Sequence, residues 1–228
     1  MASTGFFGLK RHNNWKQKWG VNGPEEHTDA VIIVGNIRIP VHNTILAAGS
    51  QYYRQWLAIR PRKTEIPEIQ LHYVNVHTAW RVIELLYCQS YTLKPCPYAE
   101  QPANHQTDTR GPLDQRAAVY QLSEHLGLSQ NLQDIAFDCY RRAVEKDWEI
   151  EDFLTSINVI LNPVLQLDVL VSAQKDELRA NRIVVLMFHH LHKRRVLFKN
   201  DYLLTLHLQT SQFFMDLFVD SWASYGRN

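Results

Sequence analysis

Residues 28–57 read T-D-A-V-I-I-V-G-N-I-R-I-P-V-H-N-T-I-L-A-A-G-S-Q-Y-Y-R-Q-W-L, and residues 79–93 read A-W-R-V-I-E-L-L-Y-C-Q-S-Y-T-L. In the first stretch, two short alternating segments flank Gly35-Asn36. Alternation at period two marks strands with one buried face. Val31 and Ile33 fall on one face of the first segment; Ile37, Ile39 and Val41 fall on one face of the second, opposite Arg38 and Pro40. Gly-Asn suits a tight hairpin because both residues tolerate positive φ. Pro40 brings no amide hydrogen, so the second strand is expected at a sheet edge or paired on one side only. A helix opens at Asn43 or Thr44 and runs through Ala48; Ser50 is placed to cap the next, which carries Tyr53, Trp56 and Leu57 at helical spacing.

Working outward, residues 66–71 alternate as a third strand, with Glu68 and Gln70 facing one way and Ile69 and Leu71 among the apolar positions; Pro67 marks an edge or a strand start. Asn75 caps a helix whose stripe is Val76, Trp80, Ile83, Leu86 and Tyr87. Residues 95–112 hold four prolines and no periodicity, the composition of a long mobile loop inserted between helices. Two amphipathic helices follow, one with Val119, Leu122 and Leu126 before Gly127, the other running from Leu132 to Val144.

Asp29, Val34-Gly35, Val41-His42, Leu46-Ala47-Ala48, Ser50 and Tyr52-Tyr53, in that order, resemble the opening of a BTB/POZ domain. Leu85-Leu86-Tyr87 with Tyr91 resembles the segment that ends a helix of that family, and the resemblance covers residues 28–145. It implies an α+β fold, a small three-stranded sheet flanked by helices. It also implies a protein-interaction module that homodimerises, is cytoplasmic or nuclear, and serves as an adaptor for a cullin-type ubiquitin ligase or a transcriptional complex. Asp29, Gly35, His42, Ser50, Tyr53 and Tyr87 take fold-anchoring roles by the same resemblance, with the His42 ring bonding backbone inside the fold. Cullin-binding members often carry a hydrophobic-x-Glu triplet after the second helix, and residues 58–65 contain none; Ile66-Pro67-Glu68 has the letters but falls in the third strand.

The chain divides into a basic and aromatic arm at residues 1–27, the BTB-like region at 28–145 with its 95–112 insertion, and a helical region at 146–228. In the arm, Trp15 and Trp19 stand among Lys10, Arg11, Lys16 and Lys18. In the last region, Phe153, Ile157, Ile160, Leu161 and Val164 make a helix expected to stop near Asn162-Pro163. The nearly continuous apolar run at 183–188 reads as a deeply buried helix, Asn200-Asp201 as a turn, and Phe214, Leu217, Phe218 and Trp222 as the stripe of a last helix. The order of these segments resembles the C-terminal helical region of fungal BTB proteins.

Composition narrows the function classes. The 228 residues are 45% hydrophobic and 21% charged, with a net charge of +1, which gives no reason to expect nucleic acid as a partner. No apolar run reaches the roughly eighteen residues of a membrane span. Three cysteines, Cys88, Cys96 and Cys139, suit a reducing compartment, with Cys88 read as a buried thiol and Cys96 as a loop thiol. No Gly-rich phosphate loop and no G-x-S-x-G elbow is present, so no catalytic or cofactor-binding residue is assigned and the chain is read as a non-enzyme. His189 and His192 could share one helix face, but two imidazoles beside Lys193, Arg194 and Arg195 make no metal site. The partner surface is assigned to Tyr52, Trp56, Arg60 and Arg62, with Tyr53 and Leu57 expected inside and Tyr52 outside. The alternative is a ligand-binding or enzymatic helical domain carried on the interaction module, with a cleft lined by His189, His192 and Asp201.

Overall fold

A computed structural model describes residues 28–59, 66–99, 108–146, 149–165 and 181–193. In chain order the elements are β1 (Ala30–Val34), β2 (Ile37–Val41), α1 (Asn43–Gly49), α2 (Gln51–Ile59), β3 (Glu68–Leu71), α3 (Val76–Cys88), α4 (Pro112–His125), α5 (Gln130–Val144), α6 (Ile150–Leu165) and α7 (Arg182–Lys193). The fold is α+β, with a three-stranded sheet, flanking helices and further helices after them. The arm at 1–27, the basic loop with Arg60 and Arg62, the turn at Asn200-Asp201 and the last helix of the sequence reading lie outside the described residues.

The sheet runs β2-β1-β3. β1 and β2 pair antiparallel from Ala30↔Val41 to Val34↔Ile37, and β1 and β3 pair parallel from Val31↔Glu68 to Val34↔Leu71. Both proline-marked strands are therefore outer strands. Ile37, Ile39 and Val41 are buried as their alternation requires, and so are Ile69 and Leu71. The first strand corrects the sequence reading. Its buried residues are Ala30, Ile32 and Val34, whereas Val31 and Ile33 are half-covered. A-V-I-I-V is apolar at both parities, so only cross-strand pairing fixes its phase. Ile33 pairs with Arg38 and Val31 with Pro40, and paired residues share a face. Gly35 alone takes the positive φ at the hairpin, +60°; Asn36 does not.

The chain falls into two compact units: Met1–Thr109 with Leu122–Leu132, and Arg110–Gln121 with Gln133–Asn228. In the first unit, the Asn75 carboxamide accepts from the His77 and Thr78 amides at 2.8 and 3.4 Å and so starts α3. Every residue of α3 from Val76 to Leu85 is buried, including Arg81 and Glu84. A helix buried all round is ordinarily apolar; the expected stripe understated how much of α3 is covered.

In the second unit, Asp152 of α6 supplies the cap that α4 lacks locally. Its two carboxylate oxygens accept from the Leu113 and Asp114 amides at 2.9 and 3.1 Å. Gly111 makes room for this, since a Cβ there would stand 2.0 Å from the carboxylate. The Tyr140 hydroxyl donates to Ser156 Oγ at 2.9 Å, and Ser156 donates to the Phe153 carbonyl, joining α5 to α6. Burial pushes the Tyr140 phenol well above its ordinary range. Helix α6 continues past Pro163 to Leu165 instead of stopping before it. Proline cannot donate to the carbonyl four residues back. That carbonyl, of Val159, accepts instead from the Gln121 side-chain amide at 2.8 Å, so the helix passes the proline without an orphaned acceptor. The run at 183–188 is also one-sided. Ile183, Val184, Met187 and Phe188 are buried, but Val185 is exposed.

Candidate interaction surface

The fold-anchoring residues form two short polar links around the start of α1. His42 precedes that helix and offers it no side-chain acceptor. Asp29, just ahead of β1, fills the gap: its carboxylate accepts from the Asn43 amide at 2.6 Å. Asn43 in turn accepts from the hydroxyl of Tyr53 on α2. The second link runs to α3. The Tyr87 hydroxyl accepts from the His42 amide at 2.7 Å and lies 3.2 Å from His42 Nδ1. Which of the hydroxyl and Nδ1 donates follows the tautomer of the His42 ring. The ring thus meets a tyrosine hydroxyl that itself holds the His42 backbone. Burial drives the Tyr87 phenol above its usual range, the His42 amide opposing and nearby Asp29 adding.

Ser50 stands at a corner where one helix starts against the end of another. Helix α4 ends in a Schellman turn: Gly127 takes φ +56°, its amide bonds the Glu124 carbonyl and the Leu128 amide bonds the Ser123 carbonyl, both at 2.9 Å. The carbonyls of this turn then receive the amides of α2. Gln51 donates to Gly127 at 2.9 Å and Tyr52 to Leu126 at 3.2 Å. Ser50 Oγ donates to the Leu126 carbonyl at 2.7 Å and accepts from the Tyr53 amide at 3.1 Å. The Arg54 amide reaches the Ser50 carbonyl at 3.2 Å. All four leading amides of α2 therefore have acceptors. Ser50 is a helix cap, as expected, and also a clasp.

This corner fixes how α2 presents its side chains. Tyr53 is buried and stacks on Trp56 with ring centroids 5.6 Å apart. Tyr52 is 38% exposed and lies against His125 at 6.1 Å. Leu57, expected inside, is half-buried like Trp56. Ile59 is 81% exposed. Tyr52, Trp56 and Ile59 stand at i, i+4 and i+7, so they form one partly exposed apolar arc on α2. The sequence reading found the first two and missed Ile59, although the spacing was available in the sequence. Arg60 and Arg62 lie outside the described residues. Beneath α2, a gap of ≈ 20 Å³ lies among Leu46, Tyr53, Ile69, Val82 and Leu126. That is room for about one water and far too small for a ligand.

The family model for the BTB/POZ domain matches residues 21–107. Residues 21–107 are a BTB/POZ domain. Among solved structures, the chain is similar to the BTB (Tramtrack and Bric a brac) domain of human Gigaxonin, at 22% identity over 50% of this chain and 76% of that one, with a TM-score of 0.35. No curated protein matches the chain. The BTB/POZ domain is a protein-interaction module and not a catalytic one.

Outside the BTB/POZ domain, His189 is exposed and His190 buried, their rings 5.8 Å apart and nearly perpendicular. The side chains of His192 and Asp201 lie outside the described residues, so the cleft of the alternative reading does too. Among the described residues, no group of three metal-ligating side chains comes together, and no helix is long and apolar enough to cross a membrane. The thiols reverse their expected places. Cys96 is fully buried although it lies between two prolines, and Cys88 at the end of α3 is half-buried. Cys96 is inside because the chain that carries it is packed onto α3.

Proposed function

We propose that this chain is an adaptor that self-associates through its BTB/POZ domain, with the arc of Tyr52, Trp56 and Ile59 as the contacting surface. The observation that carries the reading is the exposed aliphatic and aromatic arc on a helix otherwise tied to the domain core. Interfaces draw on such side chains, with aromatic residues enriched at their centres. Arg60 and Arg62, next along the chain, would supply the polar rim. The interacting module is taken as residues 28–145, since the turn at 126–128 holds the start of α2. Cytoplasm or nucleus suits a chain with three thiols and no disulfide.

Homodimerisation is favoured over cullin recruitment. Residues 58–65 lack a hydrophobic-x-Glu triplet, and Glu68 of the triplet at 66–68 begins β3 and is engaged by Arg38. A transcriptional complex is the remaining adaptor setting. Light scattering of the purified chain over a concentration series tests the self-association. A mass of two chains at low micromolar concentration is expected; one chain throughout would remove the homodimer and leave only a heterotypic partner.

A further inference from the structure

The two outer strands of the sheet present their open sides differently. The Val31 amide donates to the Pro67 carbonyl at 2.8 Å, so the peptide groups of Val31, and of Ile33 two residues on, point towards β3. Their partners, Pro40 and Arg38 on β2 and Glu68 and Gln70 on β3, therefore turn their own peptide groups away from β1. On β2 that open side is guarded. Pro40 has no amide hydrogen, and the amide of His42, next in the same alternation, is taken by the Tyr87 hydroxyl at 2.7 Å. Of these three positions, only Arg38 keeps an amide for an added strand.

Strand β3 carries no such guard. Among the described residues no strand lies beyond it, and the outward peptide group of Gln70 has no hydrogen-bond partner. Glu68, Gln70 and His72 are exposed, in alternation with buried Ile69 and Leu71. Exposed apolar side chains stand at both ends, Ile66 before the strand and Tyr73 after it. Tyr73 takes φ +59°, which a bulky residue rarely adopts, and so ends the strand with its ring in water. An antiparallel copy of the same strand fits this edge. About a twofold axis at Gln70, Gln70 faces itself, Ile69 faces Leu71 of the second copy and Glu68 faces its His72. Inner residues then meet inner ones, a carboxylate meets an imidazole, and Ile66 of one copy reaches the end that holds Tyr73 of the other.

We propose that β3 is a second self-association surface, on which two copies join edge to edge around Gln70 into one continuous sheet. The surface is separate from the arc on α2 and does not rest on it; with both in use, the chain assembles beyond the dimer. A strand of four residues buries little area, so this contact forms only above the concentrations at which the arc acts. The full chain carrying Ile59→Glu isolates β3 from the arc, and is followed by light scattering and amide NMR as its concentration is raised. The mass is expected to rise from one chain towards two, with the Gln70 amide signal moving in step. Gln70→Pro in the same chain removes the outward amide and should hold the mass at one. Gln70→Lys sets like charges across the axis and should do the same, which keeps the test open if the proline variant fails to fold. If Ile59→Glu is already two chains at low micromolar concentration, the arc reading fails, and the Gln70 variants still decide this one. A mass fixed at one chain would leave the edge to a foreign strand or to water and overturn the proposal. So would a Gln70 signal that stays still while the mass rises, or Gln70 variants that associate like their parent.

Discussion

Helices α2 and α3 belong to one BTB/POZ domain and treat their side chains in opposite ways. Helix α3 buries an arginine and a glutamate, while α2 leaves an isoleucine and a tyrosine in water. The buried charges of α3 are answered inside the chain, by Asp108, Leu93 and Thr92. Nothing in the domain's own stability requires Ile59 to be apolar, since at 81% exposure it gains little from burial. The first departure from the ordinary partition, charge inside, serves the chain's own packing; the second, the apolar arc outside, is the basis of the proposed association.

The largest expected effect lies on the α3 side. Arg81→Ala leaves the Asp108 carboxylate buried without its cation, and urea unfolding should show a loss of about 3–5 kcal/mol. A loss below about 1 kcal/mol would mean that Asp108 is held well enough without Arg81, and the contrast between the helices would fail there. Ser50→Ala removes a donor to the Leu126 carbonyl and the cap on the Tyr53 amide, and a cost of about 1–2 kcal/mol is expected by the same assay. Tyr87→Phe leaves the His42 amide without its acceptor, for about 1 kcal/mol. On the α2 side, Ile59→Ser should change stability by less than about 0.5 kcal/mol, as surface positions do. A larger loss would place Ile59 in the fold instead of at an interface.

The parts of this fold legible in the sequence are those where one residue type breaks a tie. Arg38 and Pro40 fixed the buried face of β2; β1, apolar at both parities, offered no such marker, and its phase came from pairing with β2. Asn75 and Ser50 read correctly as caps because capping is local. Arg81 and Glu84 fell outside the expected apolar stripe, and the partners that let them be buried lie 8 to 27 residues further along the chain. Pro163 resembled a helix stop because the carbonyl it orphans is satisfied from Gln121, 38 residues before Val159. Two of the three arc residues, Tyr52 and Trp56, were visible by residue type; for Ile59 the helical spacing was available, but its use required knowing that α2 continues to its end without turning that residue inward.

The central claim is that the arc on α2 is kept apolar for association rather than for folding. Ile59→Glu compared with the parent chain by light scattering, at one low micromolar concentration, tests it most directly. The account predicts two chains for the parent and one for the variant, with an unchanged urea midpoint confirming that the fold is intact. Equal masses of two chains for both proteins would contradict it.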